Sequence, residues 1–425
     1  MRPTARAARP TRAAGSSSRA AASPSNGFWL LALVVVVLCL VGLVMVLSAS
    51  SVMSLDTTGS SWTYFIKQAM WVTVGAGALL VCMACDLRVI RRIGPLALFA
   101  AAGMLFLVLV PGLGVSANGS TRWLGFGSLS IQPAEFAKLA VLVFVADLLA
   151  RRADRVHDPR FSIRPVMAVA GLFAVLLMLQ PNLGTTIILV SIVMVMLFVA
   201  GAPGRELMGW GTVGLAAAVL LALAAPYRRA RVLAFLHPWA DPANTGYQLI
   251  QSQVGLADGG FLGLGLGASR AKWGFLPYAH TDFIFAIVGE ELGLLGAALV
   301  VILFVALAFL GVRAAVRTND RFSMLLAVGV TTWITLQAFV NIGAVIGILP
   351  ITGVPLPFLS FGGSSVLFTM AATGLLLNVA RHPEPAHART RARAPRGAST
   401  RARAGARRPV PAGAGGGRLL GARLR

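Results

Sequence analysis

The chain has 425 residues, a formal net charge of +23, 57% hydrophobic residues and only 12% charged ones. A mean hydropathy of +0.80 excludes an ordinary soluble enzyme. The positive charge does not point to a nucleic-acid partner, because much of it lies in two tails, 1–27 and 381–425, rich in Ala, Arg, Pro and Gly. Such composition cannot bury a core, so both tails are expected to be disordered and basic, beside an anionic cytoplasmic leaflet.

Between the tails, 28–380 reads as one all-α polytopic membrane domain. A bilayer-spanning helix needs about 20 apolar residues. Runs of that kind fall near 28–50, 67–85, 94–113, 133–150, 164–180, 183–201, 207–225, 283–312, 323–348 and 360–380. The first is too long for a signal-peptide core and is read as a retained helix. That gives about ten helices, the form in which a continuous apolar chain satisfies its backbone in lipid. Cys39, Cys82 and Cys85 all fall inside these runs and read as packing residues.

Loop charges set the orientation. Arg88, Arg91 and Arg92, then Arg151 to Arg164, then Arg205, then Arg313 to Arg321 mark alternate loops as cytoplasmic. Both termini are therefore expected inside. The long stretch 226–282, between spans seven and eight, must lie outside although it carries Arg228, Arg229, Arg231, Arg270 and Lys272. Long loops largely escape the positive-inside rule. Basic groups held beside outer lipid headgroups suit an anionic, phospholipid-like substrate.

In this topology several polar features converge on the outer leaflet. Asp282 stands where the long loop re-enters an apolar run, and ionisable residues at such places are functional candidates by default. It can cap a helix, act as a base or bind an ion. The capping-box partner is missing, since Ile284 and Phe285 stand where Glu or Gln would reach back. Glu135 and Lys138, three apart on span four, form either a self-neutralising pair or a Lys poised for developing negative charge. Arg122, beside Trp123, reads as an interfacial anchor or a phosphate clamp. Glu290 and Glu291 lie deeper and need partners in the bundle. The Gly259–Gly267 stretch lacks the strand and the G-K-[ST] ending of a nucleotide loop, leaving a flexible loop or an anion nest.

Longer strings carry a resemblance. Gly246 to Ser252, His280 to Ala286, Gly289 to Gly293, Asn341 to Gly343 and Leu349 to Ser365 resemble the SEDS family (shape, elongation, division and sporulation). The similarity runs from about Gly42 to about Arg381, and Gly265 to Lys272 resembles the cell-division branch more than the elongation branch. The resemblance implies a peptidoglycan glycosyltransferase that polymerises lipid II at the septum, with a class B penicillin-binding protein and other divisome proteins as partners. It carries a catalytic role onto Asp282, Glu135 and Lys138, and substrate contacts onto Arg122, Arg270, Lys272, His280 and Ser364. Asp282 can serve as general base or as ligand to a divalent cation, Mg or Mn; no other cofactor is implied. Two positions depart from the family pattern: Asn182 where Asp is common, and Tyr278 where Glu is common. A lipid II flippase and a non-catalytic divisome scaffold are the alternatives.

Overall fold

A computed structural model describes residues 26–117, 120–126 and 129–381. The two tails expected to be disordered lie outside the described residues except at their inner ends, where Asn26 and Gly27 begin the first helix and Arg381 ends the last. The described chain is a helical membrane bundle. In order, its helices are α1 (Asn26–Thr58), α2 (Thr63–Ala84), α3 (Leu87–Leu109), α4 (Pro133–Arg151), α5 (Ile163–Leu179), α6 (Leu183–Ala200), α7 (Gly204–Ala224), α8 (Pro226–Leu236), α9 (Tyr247–Asp258), α10 (Ile284–Arg317), α11 (Arg321–Val345) and α12 (Gly363–Arg381).

Eight of these are long and apolar enough to cross a membrane: α1, α2, α3, α6, α7, α10, α11 and α12. Of the other two expected spans, α4 carries Glu135, Lys138 and Asp147 within its apolar run, and α5 has 17 residues. At about 1.5 Å per residue α5 reaches about 25 Å, short of a typical hydrocarbon core of about 30 Å. Glu135, Lys138 and Asp147 are all buried, so α4 lies inside the protein rather than against lipid. By contrast α7 buries only Leu207 and offers nearly its whole surface to lipid.

Three features were not expected. The loop before α4 is not irregular: β1 (Gly114–Ala117), β2 (Ser120–Phe126) and β3 (Leu129–Ile131) form a three-stranded antiparallel sheet in the order β1-β2-β3. The stretch 226–282 contains α8 and α9. Third, α10 is broken at Gly293, whose φ of 66° and ψ of −165° lie outside helical space.

The break explains the glycine-rich stretch. Leu264 and Gly265 donate their N–H groups to the carbonyls of Glu290 and Glu291, both at 3.0 Å. Leu294 and Leu295 donate back to the carbonyls of Gly260 and Phe261, at 2.9 and 3.3 Å. The loop is thus spliced into the gap and satisfies the backbone groups the break exposes, as irregular backbone at membrane depth requires. It is neither a free loop nor a nest awaiting an anion.

The core is built by α1, α4, α6, α10, α11 and α12, with Trp333 fully buried among them. The chain between α11 and α12 folds back over the end of the bundle. Gln68 of α2 anchors it, donating to the Ser360 carbonyl at 3.2 Å and accepting from Gly362 N–H at 3.3 Å. At the opposite end Asp147 pairs with Arg91 and with Arg151, the latter at 2.8 Å.

Candidate active site

Asp282 ends the turn that leads into α10. It does not cap the helix: Phe283 holds the cap position and no side-chain cap bond forms. What fixes it is the backbone. Three successive carbonyls are each gripped by a different group: His280 O accepts from Phe361 N–H at 2.9 Å, Thr281 O from the Ser360 hydroxyl at 2.6 Å, and Asp282 O from the Asn341 amide at 2.8 Å. The same Asn341 nitrogen donates to Val354 O at 2.8 Å. The Asp282 turn, α11 and the loop before α12 are therefore tied into one unit. Such preorganisation holds a reactive side chain without touching it.

The carboxylate rests over Gly353. A Cβ at that glycine would lie 3.6 Å from Asp282 Oδ2 and 3.8 Å from Arg231 Nη1. Arg231 comes from α8, and its guanidinium stacks on the Tyr227 ring at 4.5 Å. Arg122, on β2, is fixed from the other side, donating from Nε to Gln180 O at 3.2 Å and from Nη2 to Pro181 O at 2.7 Å. It lies within electrostatic reach of Tyr227, Arg231 and Asp282. Burial pushes the Asp282 carboxyl up to about 6, and the two guanidiniums work against that rise. A carboxyl tuned close to neutral pH can accept a proton from an alcohol far better than an ordinary Asp.

Glu135 and Lys138 are a buried pair below this level, with Glu135 Oε2 buried and without a hydrogen-bond partner among the described residues. Lys138 Nζ is 2.9 Å from Glu135 Oε1 and donates to Gln337 Oε1 at 2.7 Å. It also sits 4.7 Å from the Trp333 ring centroid, and its side chain is 0% exposed. Gln337 in turn donates to Pro355 O at 2.9 Å. Lys138 thus reaches the Asp282 site through the 353–356 backbone rather than by direct presentation.

The remaining sequence candidates are dispersed. Lys272 is buried 3.6 Å from Glu291 Oε1, and Arg270 uses its backbone N–H on Glu290 Oε1 at 2.6 Å while its side chain is exposed. Glu290 also accepts from the Ser269 hydroxyl, and Glu291 accepts from the Ser48 hydroxyl at 2.6 and 2.8 Å. These acids have the bundle partners their depth demands, and they hold the 269–272 segment in place. His280 is buried against Tyr64 and Phe361, and burial lowers it to about 4, so it is neutral at physiological pH. Ser364 accepts from Gln132 N–H at 3.2 Å and fixes the start of α4. Asn182 accepts from Thr185 N–H at 3.4 Å and caps α6, a role for which Asn serves as well as Asp.

Arg231 and Gly353 belong to the site and were not singled out from sequence. The signal for Arg231 was present, as a basic residue in an outer loop that ought to avoid one. A divalent cation here would have the Asp282 carboxylate as its protein ligand and substrate oxygens for the rest. The carboxylate faces two guanidiniums, and among the described residues no cluster of three metal-ligating side chains occurs.

Residues 28–384 match the family model for the cell cycle proteins FtsW, RodA and SpoVE. The chain is 42% identical over 369 residues to the probable peptidoglycan glycosyltransferase FtsW of Mycobacterium tuberculosis, covering 87% of this chain and 70% of that one. It is 40% identical over 353 residues to the stage V sporulation protein E of Bacillus subtilis, covering 83% and 96%. Among solved structures, a chain from a peptidoglycan synthase complex that coordinates polymerization and crosslinking superposes with a TM-score of 0.69 at 29% identity, covering 83% and 97%. The rod shape determining protein RodA of Thermus thermophilus superposes with a TM-score of 0.63 at 26% identity, covering 84% and 97%.

Proposed function

The chain belongs to the cell cycle protein family of FtsW, RodA and SpoVE, and from that membership and the Asp282 site we infer a peptidoglycan glycosyltransferase of the FtsW kind. Its substrate is lipid II, a disaccharide-peptide on a polyprenyl diphosphate. Asp282 takes the proton from the 4-hydroxyl of the acceptor sugar. The freed oxygen attacks the anomeric carbon of the donor, and the polyprenyl diphosphate leaves with the electron pair of the broken C–O bond. Cationic groups beside Asp282 stabilise that leaving group as its charge develops.

The observation that carries this reading is Asp282 itself. It is a backbone-locked carboxylate with its pKa raised to about 6, set beside Arg122 and Arg231. The buried Glu135–Lys138 pair supports it as a positioning unit acting through Gln337. Work at the division septum, with a membrane-bound transpeptidase that cross-links the product, is the setting we propose. It rests on the FtsW relatives and on the synthase complex among the structural neighbours.

The many spans, the acids Glu290 and Glu291 and the broken α10 are features that suit a transporter. The freed backbone groups of α10 and both acids already have partners within the protein, so the break adds nothing to a flippase reading. Purified protein in liposomes with labelled lipid II separates the readings. Glycan polymer is expected; translocation without polymer would favour the flippase, and neither would favour a scaffold.

A further inference from the structure

Of the cations in and around the site, Lys138 is enclosed by Glu135, Gln337 and Trp333, and Lys272 by Glu291 and Gly267. The groups that face Asp282 are guanidiniums, Arg122 and Arg231. A third guanidinium stands on the same helix as Arg231. Arg228 stands three residues before Arg231 on α8, so the two share a helix face. Its Nη1 is buried and finds no acceptor among the described residues. A buried charged N–H group without an acceptor is costly and rare in folded proteins, which points to an acceptor that arrives with a ligand.

The charge count favours a ligand with about two negative charges, and guanidiniums on two separate elements favour two phosphoryl groups over one. Arg122 and Arg231 against the single Asp282 carboxylate leave one positive charge unmatched, Arg228 on the same helix as Arg231 adds a second, and a diphosphate diester carries about two negative ones. Guanidinium forks also match phosphate oxygens in bidentate fashion, which an ammonium cannot do. α8 directly follows α7, the helix least embedded in the bundle, so a lipid substrate moving along that exposed flank meets α8 first.

We propose that Arg228 is a diphosphate-binding residue, and that α8 carries it with Arg231 to close on the substrate's diphosphate opposite Arg122. The identification of the diphosphate as part of a glycosyl donor rests on the function proposed above. The binding itself does not.

The test is an equilibrium binding measurement on the full chain in nanodiscs, with geranylgeranyl diphosphate and geranylgeranyl monophosphate as probes. The wild type is expected to bind the diphosphate about tenfold or more tightly than the monophosphate. Arg228→Gln and Arg231→Gln should each weaken diphosphate binding about tenfold, the scale of a lost charge-assisted hydrogen bond, and leave monophosphate binding within about twofold. Inorganic pyrophosphate should compete. Unchanged diphosphate affinity in Arg228→Gln, no wild-type preference for diphosphate, or no competition would each overturn the proposal. If Arg228→Gln does not fold, Arg228→Lys carries the test: it keeps the charge but not the fork, so a several-fold loss is expected and none would refute it. A wild type that prefers the diphosphate yet forms no glycan would leave this inference standing and remove the enzymatic reading. Glycan synthesis with an Arg228→Gln variant of unchanged affinity would do the reverse.

Discussion

Arg231 and Asp282 meet over a single glycine, with a guanidinium nitrogen and a carboxylate oxygen both within 4 Å of the Cβ position of Gly353. They come from distant parts of the chain, one from α8 and one from the turn before α10. The arrangement places a cation within electrostatic reach of the carboxylate without pairing with it directly. Asp282 therefore keeps a pKa raised by burial, while the cation limits the rise.

That balance sets a pH profile. A base must be deprotonated to act, so polymerisation should fall as pH drops through about 6, by about tenfold per unit below it. Arg231→Gln removes one of the groups that lower the Asp282 pKa, so the acid limb should move to higher pH. Initial rates between pH 5 and 8 for both proteins check this. A limb that stays in place in the variant would break the coupling.

Gly353 has a φ of 69°, in the left-handed region. A Cβ there makes only ordinary contacts, so the cost of Gly353→Ala is backbone strain of about 1–2 kcal/mol. Relief of that strain would shift the surface on which Asp282 rests. Activity should fall about tenfold in Gly353→Ala and less in Gly353→Asn, because Asn tolerates this region better. Equal losses in the two would argue for crowding instead.

Asn341 touches no reacting group, yet its amide joins Asp282 O to Val354 O. Asn341→Ala leaves both carbonyls without that donor, at a cost of about 1–3 kcal/mol. Its kcat should drop while KM changes little, since the loss is in the aim of the base rather than in substrate contact. A rise in KM alone would assign Asn341 to binding.

The membrane fold was legible because lipid leaves few choices: long apolar runs must be helices, and each charge within them stands out. Glu135 and Lys138 stand out for that reason and Asp282 at the edge of such a run, whereas Arg122 stands out through its neighbour Trp123 and the family resemblance. Arg228 and Arg231 were visible as anomalous outer charges, but nothing local says that α8 returns to Asp282. The spliced loop was hidden for a different reason. Gly259 to Gly267 reads as a flexible loop or an anion nest, and its role lies in backbone hydrogen bonds to Glu290, Glu291, Leu294 and Leu295 that no side-chain pattern encodes. The sheet before α4 was missed because its strands are short and rich in Gly and Ser.

The Glu135–Lys138 pair gives a prediction about stability. Lys138→Met leaves a buried carboxylate without its partner and should destabilise the protein by about 3–5 kcal/mol. Replacing Glu135 with Leu in the same chain should restore much of that, because a buried pair is often replaceable by apolar residues. Thermal melts of the two variants measure it, and polymer yield of the double variant shows whether the pair only positions the site. An inactive but stable double variant would mean that the charges themselves are needed.

The central claim is that Asp282 is the base. The direct measurement is the initial rate of glycan formation from labelled lipid II by wild type and Asp282→Asn, each reconstituted in liposomes and matched for folded protein. Asn keeps the side-chain size, and the backbone bonds at His280, Thr281 and Asp282 do not depend on the carboxyl group. A loss of about 10²–10⁴-fold is expected, with lipid II binding retained. An Asp282→Asn enzyme that keeps more than about a tenth of the wild-type rate would contradict it.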